Sequence, residues 1–242
     1  DANLRYAGAG ADSLSDITFD VAPGETVGII GGTGSGKSSL VNMIPRFYDA
    51  SQGSVCIDGV DVKDYTLDEL RHKVGVVPQK AVLFAGTIAD NIRWGKQDAT
   101  EAEIDEALEI AQAKEFVDGK ENGIYFKITQ GGKNLSGGQK QRLTIARAVV
   151  RKPEILILDD SASALDFATD AALRKAIREK TKGMTVFLVS QRASTIMNSD
   201  KIIVMDDGQI AGIGTHRQLL SNCEIYREIC QSQLSEEELS HE

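Results

Sequence analysis

One eight-residue segment restricts what this chain can fold into more than any other. Residues 31–38 read Gly-Gly-Thr-Gly-Ser-Gly-Lys-Ser and fit the pattern G-x-x-x-x-G-K-[ST]. Residues 26–30 before it, Thr-Val-Gly-Ile-Ile, predict a strand, and residues 36–48 after it predict a helix. The segment therefore has the strand-loop-helix context in which such a loop binds phosphate.

The residue types in this segment suit a phosphate-binding loop (P-loop). Glycines let the backbone approach a phosphate closely, and the following helix N-terminus adds partial positive charge. We expect Lys37 to reach the β and γ phosphates and to act in catalysis, and the Ser38 hydroxyl to ligate magnesium. The alternative is a glycine-rich turn that happens to carry a lysine. The nucleotide-binding residues predicted here are Gly31, Gly32, Thr33, Gly34, Ser35, Gly36, Lys37, Ser38 and Ser39.

A second segment supplies the carboxylate that a metal-nucleotide site needs. Residues 155–160 read Ile-Leu-Ile-Leu-Asp-Asp, which predicts a buried parallel strand that ends in two acidic residues. Asp159 is the candidate metal ligand. A core strand followed by a helix-capping aspartate is the alternative. Together with the P-loop, this segment predicts a P-loop NTPase that binds a nucleotide with Mg²⁺.

The rest of the chain predicts an α/β fold with a parallel-sheet core, an N-terminal antiparallel β part and an inserted helical subdomain. We expect one domain over 1–242, with a catalytic core at about 1–86 and 152–221 and a helical subdomain at about 87–151. A C-terminal helix and a solvated acidic tail are expected at about 222–242. Further predicted strands cover 16–21, 54–58 and 185–190, and further helices 101–114, 136–150 and 166–180.

Composition excludes several functions. The formal net charge of −9 leaves no overall basic field, so nucleic acid is not an expected partner, although a local phosphate site remains compatible with it. No segment approaches the roughly 20 apolar residues that cross a bilayer, so the domain itself is expected to be soluble. Three cysteines without a Cys-x-x-Cys pair favour free thiols in a reducing compartment.

Four further motifs resemble those of the ATP-binding cassette (ABC) family, in the family's order. Residues 135–139 resemble its signature, Gln79 its Q-loop, residues 163–166 its D-loop, and Tyr6 its adenine-stacking aromatic. Taken singly, Gln79 could be a turn residue, Asp166 a helix cap and Tyr6 a half-buried strand aromatic. The nucleotide contacts that this resemblance implies are Tyr6, Gln79, Leu135, Ser136, Gly137, Gly138, Gln139 and Asp166, and the implied magnesium ligands are Ser38, Gln79 and Asp159.

Residues 83–92 resemble exporter-type cassettes, and this implies several partners. A membrane-spanning domain is expected upstream or as a partner, which agrees with a chain that starts at Asp1 inside a predicted strand. The family arrangement is a head-to-tail pair in which each ATP lies between one chain's P-loop and the other chain's signature. The expected location is the cytoplasmic face of the cell membrane.

Two catalytic positions depart from the family pattern. Asp160 stands where the family has a hydrolytic glutamate, and Gln191 stands where it has a histidine. The sequence therefore predicts weak hydrolysis at this chain's own P-loop, in a pair with a different, competent cassette. Two alternatives remain: neutral drift in an active enzyme, and a module that binds ATP without hydrolysing it. A soluble relative acting on DNA or ribosomes is disfavoured, because no heptad run separates Lys37 from Leu135.

Overall fold

The computed structural model describes residues 1–235, apart from the side chain of Ala162. The acidic tail expected at the C-terminus lies outside these residues. The described chain forms two compact units. The first unit comprises residues 1–74 and the chain from Thr185 onward, and the second comprises residues 75–184. The division into a catalytic core and a helical subdomain at 87–151 stays a prediction.

The strands are short and most helices span two or three turns. The strands are β1 (Ala2–Leu4), β2 (Leu14–Ile17), β3 (Thr26–Gly31), β4 (Cys56–Ile57), β5 (Val60–Asp61), β6 (Val74–Val77), β7 (Gly86–Thr87), β8 (Lys127–Ile128), β9 (Ile155–Asp159), β10 (Thr185–Val189), β11 (Lys201–Asp206) and β12 (Gln209–Gly214). The helices are α1 (Lys37–Asn42), α2 (Leu67–Lys73), α3 (Ile88–Arg93), α4 (Glu101–Ile110), α5 (Lys114–Asp118), α6 (Gly137–Val149), α7 (Phe167–Lys180), α8 (Ala193–Ile196), α9 (His216–Asn222) and α10 (Glu224–Gln233). Four 3₁₀ turns cover Val62–Asp64, Gly123–Tyr125, Gln130–Gly132 and Ser161–Ala164.

A largely parallel sheet forms the core of the first unit. Strand β3 lies between β10 and β11 and is parallel to both, and β12 pairs antiparallel with β11. The side chains of β3 and β10 are almost all buried, as expected for strands covered on both faces. Helix α8 packs closely on β3, because a Cβ on Gly28 would lie 2.7 Å from Ile196 Cβ. Small antiparallel pairs, β1 with β2 and β4 with β5, complete the unit.

The second unit is mainly helical. Strand β9 lies beside β6, with its residues from Leu156 to Leu158 buried. Helix α6 packs against α3 and α4, and α4 also contacts α7. Three of these helices begin with a capping box: Thr87 with Asp90, Thr100 with Glu103 and Ser136 with Gln139. Each box satisfies amide groups that the first turn leaves without intrahelical partners.

The predicted elements agree with the structure where the sequence carried a cap or a long apolar run. The β9 strand, the start of α6 after Ser136 and the start of α7 after Asp166 are confirmed. The strand expected at 16–21 is displaced, since β2 ends at Ile17. The helix expected over 36–48 ends at Asn42, where turns continue to Tyr48. A tight turn at residues 207–208 joins β11 and β12, with Gly208 at a φ of 77°.

Two predictions from composition can be compared with the described residues. The three cysteines are free thiols, as expected; two of them are buried. Within residues 1–235 no helix is long and apolar enough to cross a bilayer.

Arg147 ties three parts of the second unit together. Its guanidinium donates to Asn91 O at 2.8 Å, to Asn91 Oδ1 at 2.9 Å and to Val82 O at 2.9 Å. Asn91 is 2% exposed, and its amide in turn donates to the Phe84 and Thr87 carbonyls. Helix α6, helix α3 and the 82–87 segment are thereby joined by one polar network.

We expect Arg147→Met to lower the free energy of unfolding by about 2–3 kcal/mol, because it leaves buried acceptors without their charged donor. Urea denaturation of the 242-residue chain measures this. Arg217→Met, at an exposed position on α9, is the matched control and should change stability by less than about 0.5 kcal/mol. Equal midpoints for the two variants would contradict a structural role for Arg147.

Candidate functional site

The P-loop leaves the end of β3 and enters α1, as the sequence predicts. At two of its glycines, the loop backbone lies in close contact with other segments of the first unit. A Cβ on Gly31 would lie 2.2 Å from the Met205 carbonyl oxygen, and one on Gly36, where φ is 96°, would lie 2.6 Å from Leu14 Cδ2. Only glycine fits at these positions. A Cβ on Gly32 or Gly34 would meet no atom within 4 Å, so the opposite side of the loop is open.

The Lys37 ammonium is held inside this loop. Its Nζ donates to the Gly31 carbonyl at 2.8 Å and to the Gly32 carbonyl at 2.7 Å, and lies 3.4 Å from Ser35 Oγ. The side chain of Lys37 is 9% exposed. A positive charge beneath a loop with an open side is an arrangement suited to an anion.

Tyr6 and Ser39 lie together beside the start of α1. The two hydroxyl groups are 2.6 Å apart, and the Tyr6 ring stands edge-on to Tyr48 with centroids 4.8 Å apart. Strand β1 ends at Leu4, so Tyr6 lies after the strand rather than in it. The structure thus places Tyr6 next to the predicted P-loop helix, while its contact with adenine stays a prediction.

Gln191 follows β10 at the same sheet edge from which the P-loop leaves. Strand β10 is parallel to β3, with Val189 opposite Ile29, and the Ser190 amide donates to the Ile29 carbonyl at 3.0 Å. Ser190 is buried and its Oγ accepts from the Arg192 amide at 3.0 Å. The Gln191 side chain itself is exposed.

Two carboxylates with predicted roles in the second unit lie at the end of β9. Asp159 is the last strand residue, and Asp160 follows with a left-handed φ of 45°. Gln79 Nε2 donates to Asp160 Oδ2 at 3.1 Å. Gln79, which follows β6, therefore contacts the residue at the predicted hydrolytic position.

The signature residues open α6. Leu135 is buried and Ser136 caps the helix: the Gln139 amide donates to Ser136 Oγ at 3.2 Å, and the Ser136 amide donates to Gln139 Oε1 at 3.1 Å. Gly137 is open, since a Cβ there would meet nothing within 4 Å. Gly138 lies close to the D-loop, because its Cβ would sit 3.2 Å from the Ala164 carbonyl oxygen.

Asp166 is a helix cap, which is the alternative that the sequence left open for it. Its Oδ1 accepts from the Thr169 amide at 2.8 Å, and its Oδ2 accepts from Thr169 Oγ1 at 2.9 Å. The bond from the Thr169 amide is the main cause that holds the pKa of Asp166 below its usual value. The contact of Asp166 with a nucleotide stays a prediction, separate from this helix-capping role.

Within each unit, the structure brings the predicted residues into neighbouring segments. The first unit holds Tyr6, Ser39, Gln191 and the P-loop, and the second holds Gln79, Asp159, Asp160, Asp166 and the signature. Sequence reasoning missed Gln141, buried in α6, whose Nε2 lies 3.5 Å from the Pro78 carbonyl oxygen just before Gln79. It also missed Gln233, because no local pattern links the end of α10 to residue 191.

The predicted magnesium ligands are of a chemical type that suits magnesium bound to a nucleotide. Among residues 1–235 no group of three or more His, Cys, Asp or Glu side chains that could hold a metal is present. A magnesium ion brought in by phosphate oxygens needs only one or two protein ligands and keeps several waters. The hydroxyl of Ser38 in the first unit and the carboxylate of Asp159 in the second are each a ligand type that magnesium accepts.

A loop of this geometry between a parallel strand and a helix, followed along the chain by a buried strand ending in aspartate, defines a P-loop nucleotide-binding protein. The family model described as "ABC transporter" matches residues 14–163. The chain belongs to the ABC transporter family and is its ATP-binding domain, and the predicted α/β fold class is confirmed.

Three known proteins show the extent of the similarity. An uncharacterized ABC transporter ATP-binding protein of Mycobacterium tuberculosis strain H37Rv is 46% identical over 235 residues, which cover 96% of this chain and 40% of the relative. An ATP-dependent lipid A-core flippase of Hahella chejuensis is 42% identical over 234 residues, 96% and 40% of the two chains. The structure of a bacterial Atm1-family ABC exporter with ATP bound has a TM-score of 0.93 at 37% identity and covers 97% of this chain and 41% of that chain.

This chain therefore spans about 40% of the length of the curated relatives it matches. The resemblance to exporter-type cassettes is confirmed by these relatives. ABC domains bind ATP, generally with Mg²⁺, and are in general ATPases.

Proposed function

We propose that this chain binds Mg-ATP with its own P-loop and hydrolyses it slowly, while its signature completes a faster site on a different partner cassette. The single observation that carries this proposal is the combination of an intact P-loop and signature with Asp160 and Gln191 at the two catalytic positions. The residues expected to bind ATP are retained, whereas the two residues expected to act in hydrolysis are changed.

The retained residues support binding. Lys37 carries the charge that would meet the β and γ phosphates, and amides of the glycine-rich loop would donate to phosphate oxygens. Ser38, Asp159 and Gln79 would hold the magnesium ion, which when bound neutralises charge that develops on the phosphates. Tyr6 and Ser39, paired at 2.6 Å, would border the nucleoside end.

The changed residues support slow hydrolysis. Aspartate has one methylene fewer than glutamate, so its carboxylate is retracted by about 1.5 Å from a water that it would orient. A misplacement of about 1 Å can lower a rate on the order of a hundredfold. Gln191 keeps a hydrogen-bond donor for a γ-phosphate, but it carries no positive charge and moves no proton.

The partners follow from the same family arrangement. Ser136, Gly137 and Gly138 open a 13-residue helix whose first amides would meet the γ-phosphate bound to a second cassette in a head-to-tail pair. The pair would drive export through a membrane-spanning domain, with this chain at the cytoplasmic face of the membrane. This chain's signature would complete the site on the partner's P-loop. If the partner is a different cassette with both catalytic residues, that site would be competent.

Equilibrium ATP binding and phosphate release, measured on the same preparation, test this proposal. We expect saturable Mg-ATP binding with release below about 1 s⁻¹, the low end of ordinary enzyme turnover. Binding with no release over hours would favour the module that holds ATP without hydrolysing it. Release at about 10 s⁻¹ or faster would contradict the slow site.

A further inference from the structure

Gln233, the last residue of α10, forms hydrogen bonds with the backbone on both sides of Arg192. Gln233 Oε1 accepts from the Ala193 amide at 2.8 Å, and Gln233 Nε2 donates to the Gln191 carbonyl at 2.8 Å. One carboxamide thus bridges two backbone groups, across about 40 residues of chain. Both bonds have the distance of well-formed hydrogen bonds.

Gln233 is held in this place by the packing of α10. Tyr226 and Cys230 of α10 are fully buried, and the Tyr226 hydroxyl lies 2.7 Å from His216 Nδ1 of α9. Arg227 donates to the Leu220 carbonyl at 2.8 Å and to the Ser221 carbonyl at 3.0 Å. These contacts fix the backbone of α10, so only the rotamer freedom of the exposed Gln233 side chain is lost in forming the two bonds.

The bond from the Ala193 amide to Gln233 satisfies a backbone donor at the start of α8. Ala193 is the first residue of α8 and is fully buried, and Arg192 at the N-cap provides no side-chain acceptor. The Gln233 oxygen supplies the missing cap to the Ala193 amide. With Ser190 Oγ accepting from the Arg192 amide, the backbone of residues 190–193 is fixed from two sides, while the Gln191 side chain stays exposed.

We propose that Gln233 is a positioning residue that orients Gln191, so that the C-terminal helix sets the rate at this chain's own P-loop. The proposal rests on the proposed role of Gln191 beside the γ-phosphate. Gln233 contacts only the backbone of the segment, and it acts through residue 191.

Amide hydrogen exchange tests the contact without any nucleotide. In Gln233→Ala, exchange at Ala193 should accelerate about tenfold, since the buried amide loses its acceptor. Gln233→Glu keeps an acceptor for Ala193 but places a carboxylate oxygen against the Gln191 carbonyl, so its exchange should lie between those of wild type and Gln233→Ala. Gln231→Ala, at an exposed glutamine of the same helix, is the matched control and should exchange like wild type.

Kinetics test the consequence for turnover. Gln233→Ala should lower kcat about three- to tenfold and leave the KM for ATP within twofold, because the nucleotide contacts are unchanged. In a Gln191→Ala background the same change should lower kcat less than twofold, since the positioned side chain is already absent. A merely structural effect would lower kcat equally in both backgrounds.

Two results would overturn the proposal: unchanged exchange at Ala193 in Gln233→Ala, or an equal loss of kcat in both backgrounds. The outcome is separable from that of the proposed function. If the wild-type chain released no phosphate, slow hydrolysis would be disproved, while exchange at Ala193 would still decide whether Gln233 holds the segment.

Discussion

Lys37→Met should weaken Mg-ATP binding by about a hundredfold or more and abolish phosphate release. Lys37 is 9% exposed and its ammonium donates to the Gly31 and Gly32 carbonyls, so the charge is already positioned before any phosphate binds. A methionine of similar length removes the charge and leaves those two carbonyls without their donor. Isothermal titration with Mg-ATP measures the loss.

The control for this variant is Lys175→Met, at a side chain on α7 that is 75% exposed. It removes one positive charge from the same chain and should bind ATP as wild type does. Thermal unfolding of both variants shows whether the fold is retained. If Lys37→Met kept its ATP affinity within threefold, the P-loop would not be the principal phosphate site.

Local sequence patterns sufficed for the elements that one segment specifies by itself. The continuous apolar run 155–158 gave β9 because such runs need burial on both faces, and Ser136 and Asp166 marked helix starts because their side chains accept from the first-turn amides. The P-loop was recognisable from its residue pattern, but the contacts that require glycine at Gly31 and Gly36 come from distant residues, Met205 and Leu14.

Elements specified by distant contacts were not predictable from these patterns. The end of β2 at Ile17 depends on its pairing with β1, in which Ala2 lies opposite Ile17 and Leu4 opposite Leu14. The same limit applies to the candidate site. The bonds of Gln233 to residues 191 and 193, and of Gln79 to Asp160, join segments that are far apart in the sequence.

The structure also indicates why aspartate suits position 160. Its φ of 45° lies in the left-handed region, where Asp and Asn are enriched several-fold over other non-glycine residues. Its carboxylate accepts from Gln79 Nε2 at 3.1 Å. A longer glutamate would have to adopt the same backbone conformation and move its carboxylate beyond this bond.

Restoring both family residues, with Asp160→Glu and Gln191→His, should raise phosphate release at sites built on this chain's P-loop by about a hundredfold. The glutamate extends the carboxylate toward the attacking water, and the histidine adds a group that can carry charge and move a proton. Each single change should give less than the pair, because residues that act in one step are not additive. Single-turnover hydrolysis with excess protein measures the chemical step.

Stability should move in the opposite direction. Glutamate at the left-handed position 160 is expected to lower the free energy of unfolding by about 1 kcal/mol. If the double variant is faster but less stable than wild type, its higher rate does not result from better folding. Asp68→Glu adds the same methylene at a side chain that is 89% exposed, and Gln231→His repeats the other exchange on α10; both should leave release unchanged. If the wild-type chain already hydrolysed ATP as fast as the double variant, Asp160 and Gln191 would be neutral replacements. The slow site, and with it the need for a different partner cassette, would then be disproved.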